Sequence, residues 1–376
     1  MMAMSTIKAR VLAMYLPQFH PIPENDEWWG EGFTEWTNVG KAKKYFKGHY
    51  QPRVPADLGY YDLRVAETRQ AQADLAQEYG IEGFLYWHYW FGNGKQLLER
   101  PFNEVLESGK PNFPFALAWA NYSWYAKNWN AEGVRKDKLL IEQTYCGDED
   151  FISHFNAVLP AFKDKRYIKV NGKPLFMIFK PCELPDIKYF IDLWQSLAKE
   201  NGLAGIYFIA QHQTKIDHNG KPEEESLRQM LESGFDAVNF VRLYEFLEQR
   251  SLYKKIMGRF NKIFRGMPVV YPYKKFYPHF SKAIDADLQA IPSIIPGWDH
   301  SPRSGKDGFV MTNSTPELFE KHVKNVLDKV RHKPQEERFV FIKSWNEWAE
   351  GNYMEPDLKF GKGYLEVLGN SLKLDL

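Results

Sequence analysis

The chain has 376 residues, 44% of them apolar and 26% charged, with a formal net charge of +1. This length holds one large domain or two ordinary ones around a substantial core, and near-neutrality gives no global reason to expect nucleic acid as a partner. Two cysteines are too few for a disulfide framework, and no apolar run reaches membrane-spanning length, so a stapled secreted scaffold and a helical membrane protein are both excluded.

The N-terminus, M-M-A-M-S-T-I-K-A-R-V-L-A-M-Y-L-P, carries a short apolar run that reads as a first strand over 11–19. It lacks the longer apolar segment and small-residue cleavage site of a signal peptide, which with the cysteine usage points to a cytoplasmic protein. Further apolar runs follow at 81–91, 113–121, 174–180, 204–211, 235–240, 291–298 and 338–345. Helical patterns separate them at 63–79, 97–108, 149–163, 186–201, 223–233, 243–264 and 315–332, with a last one near 363–373. Thr315-Pro316-Glu317 has the N-cap, first-turn proline and acid of a helix start, and Gly80, Gly202 and Gly234 stand where helix C-caps are wanted. Near-continuous apolar strands alternating with helices predict an all-parallel sheet, and eight of each predict a (β/α)8 TIM barrel of the α/β class. Such a barrel takes roughly 250 residues. A single domain over 1–376 therefore carries long insertions, near 20–62, 122–148 and 241–290. A doubly wound open sheet is the structural alternative, but Gly92-Asn93-Gly94 lacks the third glycine of a dinucleotide site.

In a parallel barrel the C-terminal strand ends form the catalytic face. Here they are rich in aromatic and polar residues, in a chain that is 16% aromatic overall. Tyr15 and His20 lie at the first strand, and Trp36 in the insertion behind it. Trp87 and His88 end the second strand; Trp119, Asn121 and Trp124 end the third; Gln211 ends the fifth. Trp298, Asp299, His300 and Arg303 follow the seventh. Strand eight runs into S-W-N-E-W-A-E-G, with Trp345, Asn346, Glu347 and Glu350. Indole faces suit the C–H patches of sugar rings, and planar polar groups suit their hydroxyls. Two neighbouring carboxylates are what glycosidic cleavage requires, one to protonate the leaving oxygen and one to assist at the anomeric centre. On a first helical turn, Glu347 and Glu350 would have Cβ atoms about 5–6 Å apart. The spacing leaves retention or inversion open.

Blander readings accompany each feature. Acids in a first helical turn complement the helix dipole. Single histidines such as His88, His212 and His300 read as orienting or half-buried packing residues. No H-x-H follows strand one, no H-E-x-x-H occurs, and the D-x-D of metal-nucleotide-sugar sites at 285–287 stands in a helical, polar context, so neither a metal nor a cofactor is expected. Asp285-Ala286-Asp287 reads as a solvated face, Trp298 and Trp345 as stacking platforms or barrel core, and Glu35 and Glu355 as sugar-hydroxyl partners or surface charges.

Several long motifs carry a family resemblance: M-Y-L-P-Q-F-H-P at 14–21, W-W-G-E-G-F-T-E-W-T-N-V at 28–39, G-H-Y-Q-P-R-V-P at 48–55, L-G-Y-Y-D-L at 58–63, G-F-L-Y-W-H-Y-W-F at 83–91, P-G-W-D-H-S-P-R at 296–303 and W-N-E-W-A-E-G at 345–351. They resemble the WbsX-type proteins, usually labelled glycosyltransferases of polysaccharide loci and similar to glycoside hydrolase family 99. The resemblance implies a (β/α)8 barrel and a retaining, endo-acting enzyme of an α-linked, mannose-containing glycan. It also implies roles. Glu347 would deprotonate the substrate's own 2-hydroxyl, which attacks the anomeric carbon, and Glu350 would act as general acid, then as base for water. The sequence departs at Ala349, where family 99 typically carries histidine.

The expected partner is an oligosaccharide or polysaccharide. A glycosyltransferase of lipopolysaccharide, O-antigen or capsule biosynthesis is the second reading, favoured by the missing signal peptide. A non-catalytic glycan-binding barrel is the third, disfavoured by the intact acid pair. Segment 249–283 holds nine Lys and Arg and no Asp or Glu, interleaved with aromatics. It reads either as a solvated insertion or as a peripheral contact with an anionic membrane or lipid-linked glycan.

Overall fold

The computed structural model describes residues 8–129, 135–213, 223–248 and 252–373. Parts of the expected insertions, 130–134 and 249–251, lie outside them.

All eight expected strands form: β1 (Arg10–Tyr15), β2 (Gly83–His88), β3 (Phe115–Trp119), β4 (Lys173–Ile178), β5 (Tyr207–Gln213), β6 (Ala237–Val241), β7 (Ala290–Ile294) and β8 (Phe339–Ile342). They pair in parallel in the order β3-β2-β1-β8-β7-β6-β5-β4, and β3 then pairs with β4 in the register Leu117–Phe176, closing the TIM barrel. Outside them lie α1 (Ala66–Glu78), α2 (Arg100–Ser108), α3 (Asp148–Lys163), α4 (Ile187–Glu200), α5 (Glu223–Glu232), α6 (Leu252–Phe264), α7 (Pro316–Val330) and α8 (Gly363–Leu372). Thr315 caps α7 by accepting from Leu318 N at 3.4 Å.

Strand alternation decides which side chains meet the barrel axis. The register aligns Leu12 with Phe341, Met14 with Leu85, Leu85 with Ala116, Leu175 with Tyr207, and Gln211 with Asn239, giving one inward phase. Extended towards the C-terminal end, that phase reaches Leu16, Trp87, Ala120, Phe179, Val241 and Lys343. The opposite phase meets the helices: Tyr15 hydroxyl donates to Gln72 of α1 at 2.7 Å, and Phe176 packs on Trp194 of α4.

The insertions gather at the same end. Segment 20–62 contributes the short helices Pro23–Trp29 and Glu35–Gly40, and 122–148 forms an antiparallel hairpin of Trp124–Trp129 with Arg135–Ile141. The 243–264 pattern becomes two helices, Glu245–Glu248 and α6, instead of one helix covering the barrel. The single turn Ala283–Ala286 packs against β7 and α7 instead. This corrects the solvated reading for Asp285, whereas Asp287 is exposed as expected. Asp285 is fully buried, accepting from Arg242 Nη2 at 2.7 Å and Nη1 at 2.9 Å, with Glu223 on the other edge of the guanidinium. Among the described residues no helix is long and apolar enough to cross a membrane.

Candidate active site

The C-terminal end of the barrel opens into a cleft of about 710 Å³. Its floor is the inward phase of the strand ends (Leu16, Trp87, Phe179, Val241 and Lys343) with Glu347 and Glu350 beside them. Its walls are aromatic, with Trp29 and Phe33 on one insertion, Tyr122 and Trp124 on another, and Tyr89, Tyr244 and Trp298 between.

The two glutamates sit on a single 3₁₀ turn within a hairpin, not on an α-helical one. Asn346–Glu347 pairs with Asn352–Tyr353 in a tight antiparallel hairpin, and Trp348–Glu350 makes a single 3₁₀ turn between them. Gly351 closes the turn at φ +58°, where a Cβ would lie 2.7 Å from Asp299 Cβ and 2.9 Å from Asp299 N. Both the left-handed backbone and the close approach call for glycine here. Asp299 N in turn donates to the carbonyl of Glu350 at 2.6 Å, tying the hairpin to the loop after β7. The turn folds both carboxyl groups into the cleft, hydrogen-bonded to each other.

Their surroundings differ. Glu347 receives Trp87 Nε1 on Oε1 at 3.2 Å and Lys343 Nζ on Oε2 at 3.3 Å. Burial dominates and pushes its carboxyl up to about 7; Lys343 pulls down against it, and the Glu350 charge adds to the rise. For Glu350, burial also pushes upward, but the Arg303 guanidinium, Lys343 and the hydrogen bond from Glu347 outweigh it and hold the carboxyl below its ordinary range. Arg303 pairs through Nη1 with Glu350 and through Nη2 with Glu35 at 3.0 Å. His300 Nε2 stands 3.7 Å from Glu350 Oε1. Glu350 is therefore the more acidic of the pair, and Glu347, at about 7, is about half protonated at neutral pH. Like charges this close push the two protonation steps apart.

Of the sequence-derived binding residues, Trp87, Trp124 and Arg303 line this cleft. The others do not, and alternation or loop geometry explains each correction. Tyr15 and His88 belong to the outward phase; His88 Nε2 lies 2.8 Å from His154 Nε2 in α3, and burial lowers its pKa to about 4. Trp119 also faces outward, donating to Trp90 O at 2.9 Å. Trp345 is fully buried against Phe84, so the core reading holds for it, whereas Trp298 reaches the cleft. Asn346 clamps Leu16, accepting from its N at 2.7 Å and donating to its O at 3.0 Å. Asn121 does the same for Lys180, at 2.8 Å in each direction. His20 is buried beside the cleft, and Trp36 donates to Tyr61 O at 2.7 Å while packing on Phe19 and Trp348. Asp299 accepts from His49 Nε2 at 2.7 Å and Gln51 Nε2 at 2.8 Å, fastening two loops. Gln211 faces the axis, but it is buried below the cleft.

The two further acids part company. Glu35 lines the cleft as the second partner of Arg303. Glu355 lies beneath it in a closed set, accepting from Trp348 Nε1 at 2.6 Å, Gln72 Nε2 at 2.6 Å and Tyr61 hydroxyl at 2.9 Å. Ala349 is buried in the core and offers nothing to the cleft. Sequence reasoning missed Lys343. The alternation in F-V-F-I-K, carried from an inward Phe341, would have pointed its side chain at the axis. Among the described residues no cluster of His, Cys, Asp and Glu could hold a metal ion.

Comparison with known proteins adds to this geometry. The family model described as Glycosyltransferase WbsX matches residues 11–368. Two curated relatives, each called uncharacterized protein WxcX and from two strains of Xanthomonas campestris pv. campestris, are 35% identical over 373 residues. Those residues are 98% of this chain and 50% of theirs, so the chain spans about half the length of the curated relatives it matches. Among solved structures, a glycoside hydrolase-like protein superimposes with a TM-score of 0.59 at 17% identity, covering 98% of this chain and 94% of its own. The family 99 endo-alpha-mannosidase from Bacteroides thetaiotaomicron superimposes with a TM-score of 0.55 at 13% identity, covering 96% of each chain. At these identities the structures share the fold.

Proposed function

We propose that this chain, which belongs to the WbsX family, is a carbohydrate-active enzyme that breaks a glycosidic bond in an α-linked glycan, using Glu347 and Glu350. The observation that carries this reading is the pair itself. Two carboxyl groups lie together on the floor of an aromatic cleft, one raised to about 7 and the other held below its ordinary range. Environments that push two acids apart in this way prepare one acid and one base.

In the retaining scheme that the resemblance implies, Glu347 takes the proton of the sugar 2-hydroxyl as O2 attacks the anomeric carbon. The glycosidic C–O bond breaks, and Glu350 protonates the leaving oxygen. Water, deprotonated by Glu350, then opens the 1,2-anhydro sugar while Glu347 returns its proton to O2. In the ligand-free site Glu347 holds a proton more tightly than Glu350, so this scheme requires the proton to pass to Glu350 as substrate arrives. Arg303 can accompany that change, because Glu35 remains as its second carboxylate. The resting protonation favours the reverse assignment, with Glu347 as acid and Glu350 as base. Aryl glycosides with a good leaving group separate the two, since only loss of the acid is rescued by an activated substrate.

The family's description keeps glycosyl transfer as the second reading. Incubation with a panel of α-linked glycans, with and without nucleotide-sugar donors, and product analysis by mass decides between them. Oligosaccharide released without donor supports hydrolysis. Elongation only with donor supports transfer, and neither outcome in any pairing would leave a glycan-binding barrel.

A further inference from the structure

The helix that departs from the barrel plan, α6, presents its apolar side to solvent. Leu252 is 73% exposed, Phe264 72% and Ile263 58%, with Ile256 at 56% and Phe260 at 43%. At helical spacing these side chains share one continuous arc of about 120°. The half-covered residues, Gly258, Asn261 and Lys262, are small or polar and lie on the other side. Core-facing helices are built the opposite way round. An exposed apolar stripe of this size on a surface element marks an interaction face.

Charge identifies what it meets. Lys255 and Arg259 are exposed along the same helix and Arg265 just beyond its end, Lys274 and Lys275 follow in the same insertion, and 249–283 contains no acid. A second copy would bring the same basic rim against itself, and a nucleic acid has no use for the isoleucines and phenylalanines. A bilayer carrying anionic headgroups satisfies both halves: acyl chains take the apolar arc and headgroups take the cations. Position adds meaning. Lys262 Nζ pairs with Asp307 Oδ1 at 2.5 Å, in the turn just after Arg303 and Ser304, and Tyr244 before the helix lines the cleft. The helix therefore stands at the catalytic end of the barrel.

We propose that α6 is an interfacial helix that lies in the surface of an anionic membrane and brings the cleft to it. The inference does not depend on which reaction the cleft performs, and soluble-glycan assays without vesicles can fail or succeed separately from it. The test is co-sedimentation of the whole chain with vesicles of phosphatidylcholine alone or with roughly a third phosphatidylglycerol, at low and high salt. The wild type is expected to bind the anionic vesicles, and to lose most binding at high salt or on neutral vesicles. Lys255→Glu with Arg259→Glu should weaken partitioning by about 25-fold or more, since each basic residue near the surface is worth about fivefold. Ile256→Ser, Phe260→Ser and Ile263→Ser together should abolish it, with the far-ultraviolet dichroism and melting temperature of the barrel retained. Failure of the wild type to bind anionic vesicles overturns the proposal. So does full binding by the triple serine variant, or a dimer dissolved by those serines in a protein that ignores lipid.

Discussion

Lys343 offers the most quantitative test of the acid pair. Its ammonium lies 3.3 Å from Glu347 Oε2 in a nearly dry site, opposing the burial that raises that carboxyl to about 7. At that separation, with an effective dielectric near 20, the attraction is worth about 5 kcal/mol before desolvation. A carboxylate beside a single cation ordinarily shows one to three pH units of this, so about 1–4 kcal/mol survives. Lys343→Met keeps the side-chain length and removes the charge. Glu347 should then keep its proton about one to three pH units further into the alkaline range. The measurement is a carbon NMR titration of the protein labelled at glutamate carboxyl carbons, with Glu347 assigned through its Gln variant. No substrate is needed. A Glu347 midpoint that stays put or falls in Lys343→Met would refute the electrostatic reasoning behind the pair.

Other consequences follow from the same geometry. Glu350→Gln should slow cleavage of unactivated glycans by about 10²- to 10⁴-fold, the ordinary worth of a proton-transfer group, with the melting temperature little changed. Gly351→Ala should destabilise the chain by about 1–3 kcal/mol, from left-handed backbone and contact with Asp299, read as a lower denaturation midpoint with reduced activity. Burial lowers His20 and His88 to about 4 and His322 to about 3, and His154 well below its ordinary value. Because these folded values are depressed, the stability they confer is present above about pH 6.5 and is lost as pH falls towards 4 and then 3. Glu347 and Glu355, both raised to about 7 by burial, oppose this by giving up protons on unfolding near pH 5.5. The four histidines outnumber them, so net uptake is expected from the pH dependence of the urea midpoint; stability that rises on acidification would contradict the neutral assignment.

The architecture was legible because parallel barrel strands are buried on both faces and read as continuous apolar runs. V-L-A-M-Y and F-V-F-I carry that signal without help from their neighbours. The Trp124–Ile141 hairpin was not legible, since an exposed, charged two-stranded ribbon such as R-K-D-K-L-L-I has no apolar continuity to betray it. At the site, residue type was legible and direction was not. Continuous burial erases the alternation that tells inward from outward, so Tyr15, His88 and Trp119 looked like equals of Trp87 although they face the helices. Asn346, Asn121 and Asp299 show a second limit. A polar residue at a strand end is as readily a clamp on a neighbouring loop as a substrate contact, and only its partners decide. The E-x-x-E spacing led to a cleft pair on a turn after strand eight, a 3₁₀ turn inside a hairpin in place of an α-helical one. The sixth helical pattern was visible as amphipathic, but the sequence could not say that its apolar side faces away from the barrel.

The most direct test is a crystal structure of Glu350→Gln with an α-linked oligosaccharide bound. The account predicts a sugar stacked between Trp298 and the Tyr122–Trp124 wall, with the glycosidic oxygen about 3 Å from the residue-350 amide and O2 facing Glu347. A glycan seated elsewhere on the barrel, or in the cleft with its anomeric carbon remote from both glutamates, would contradict it.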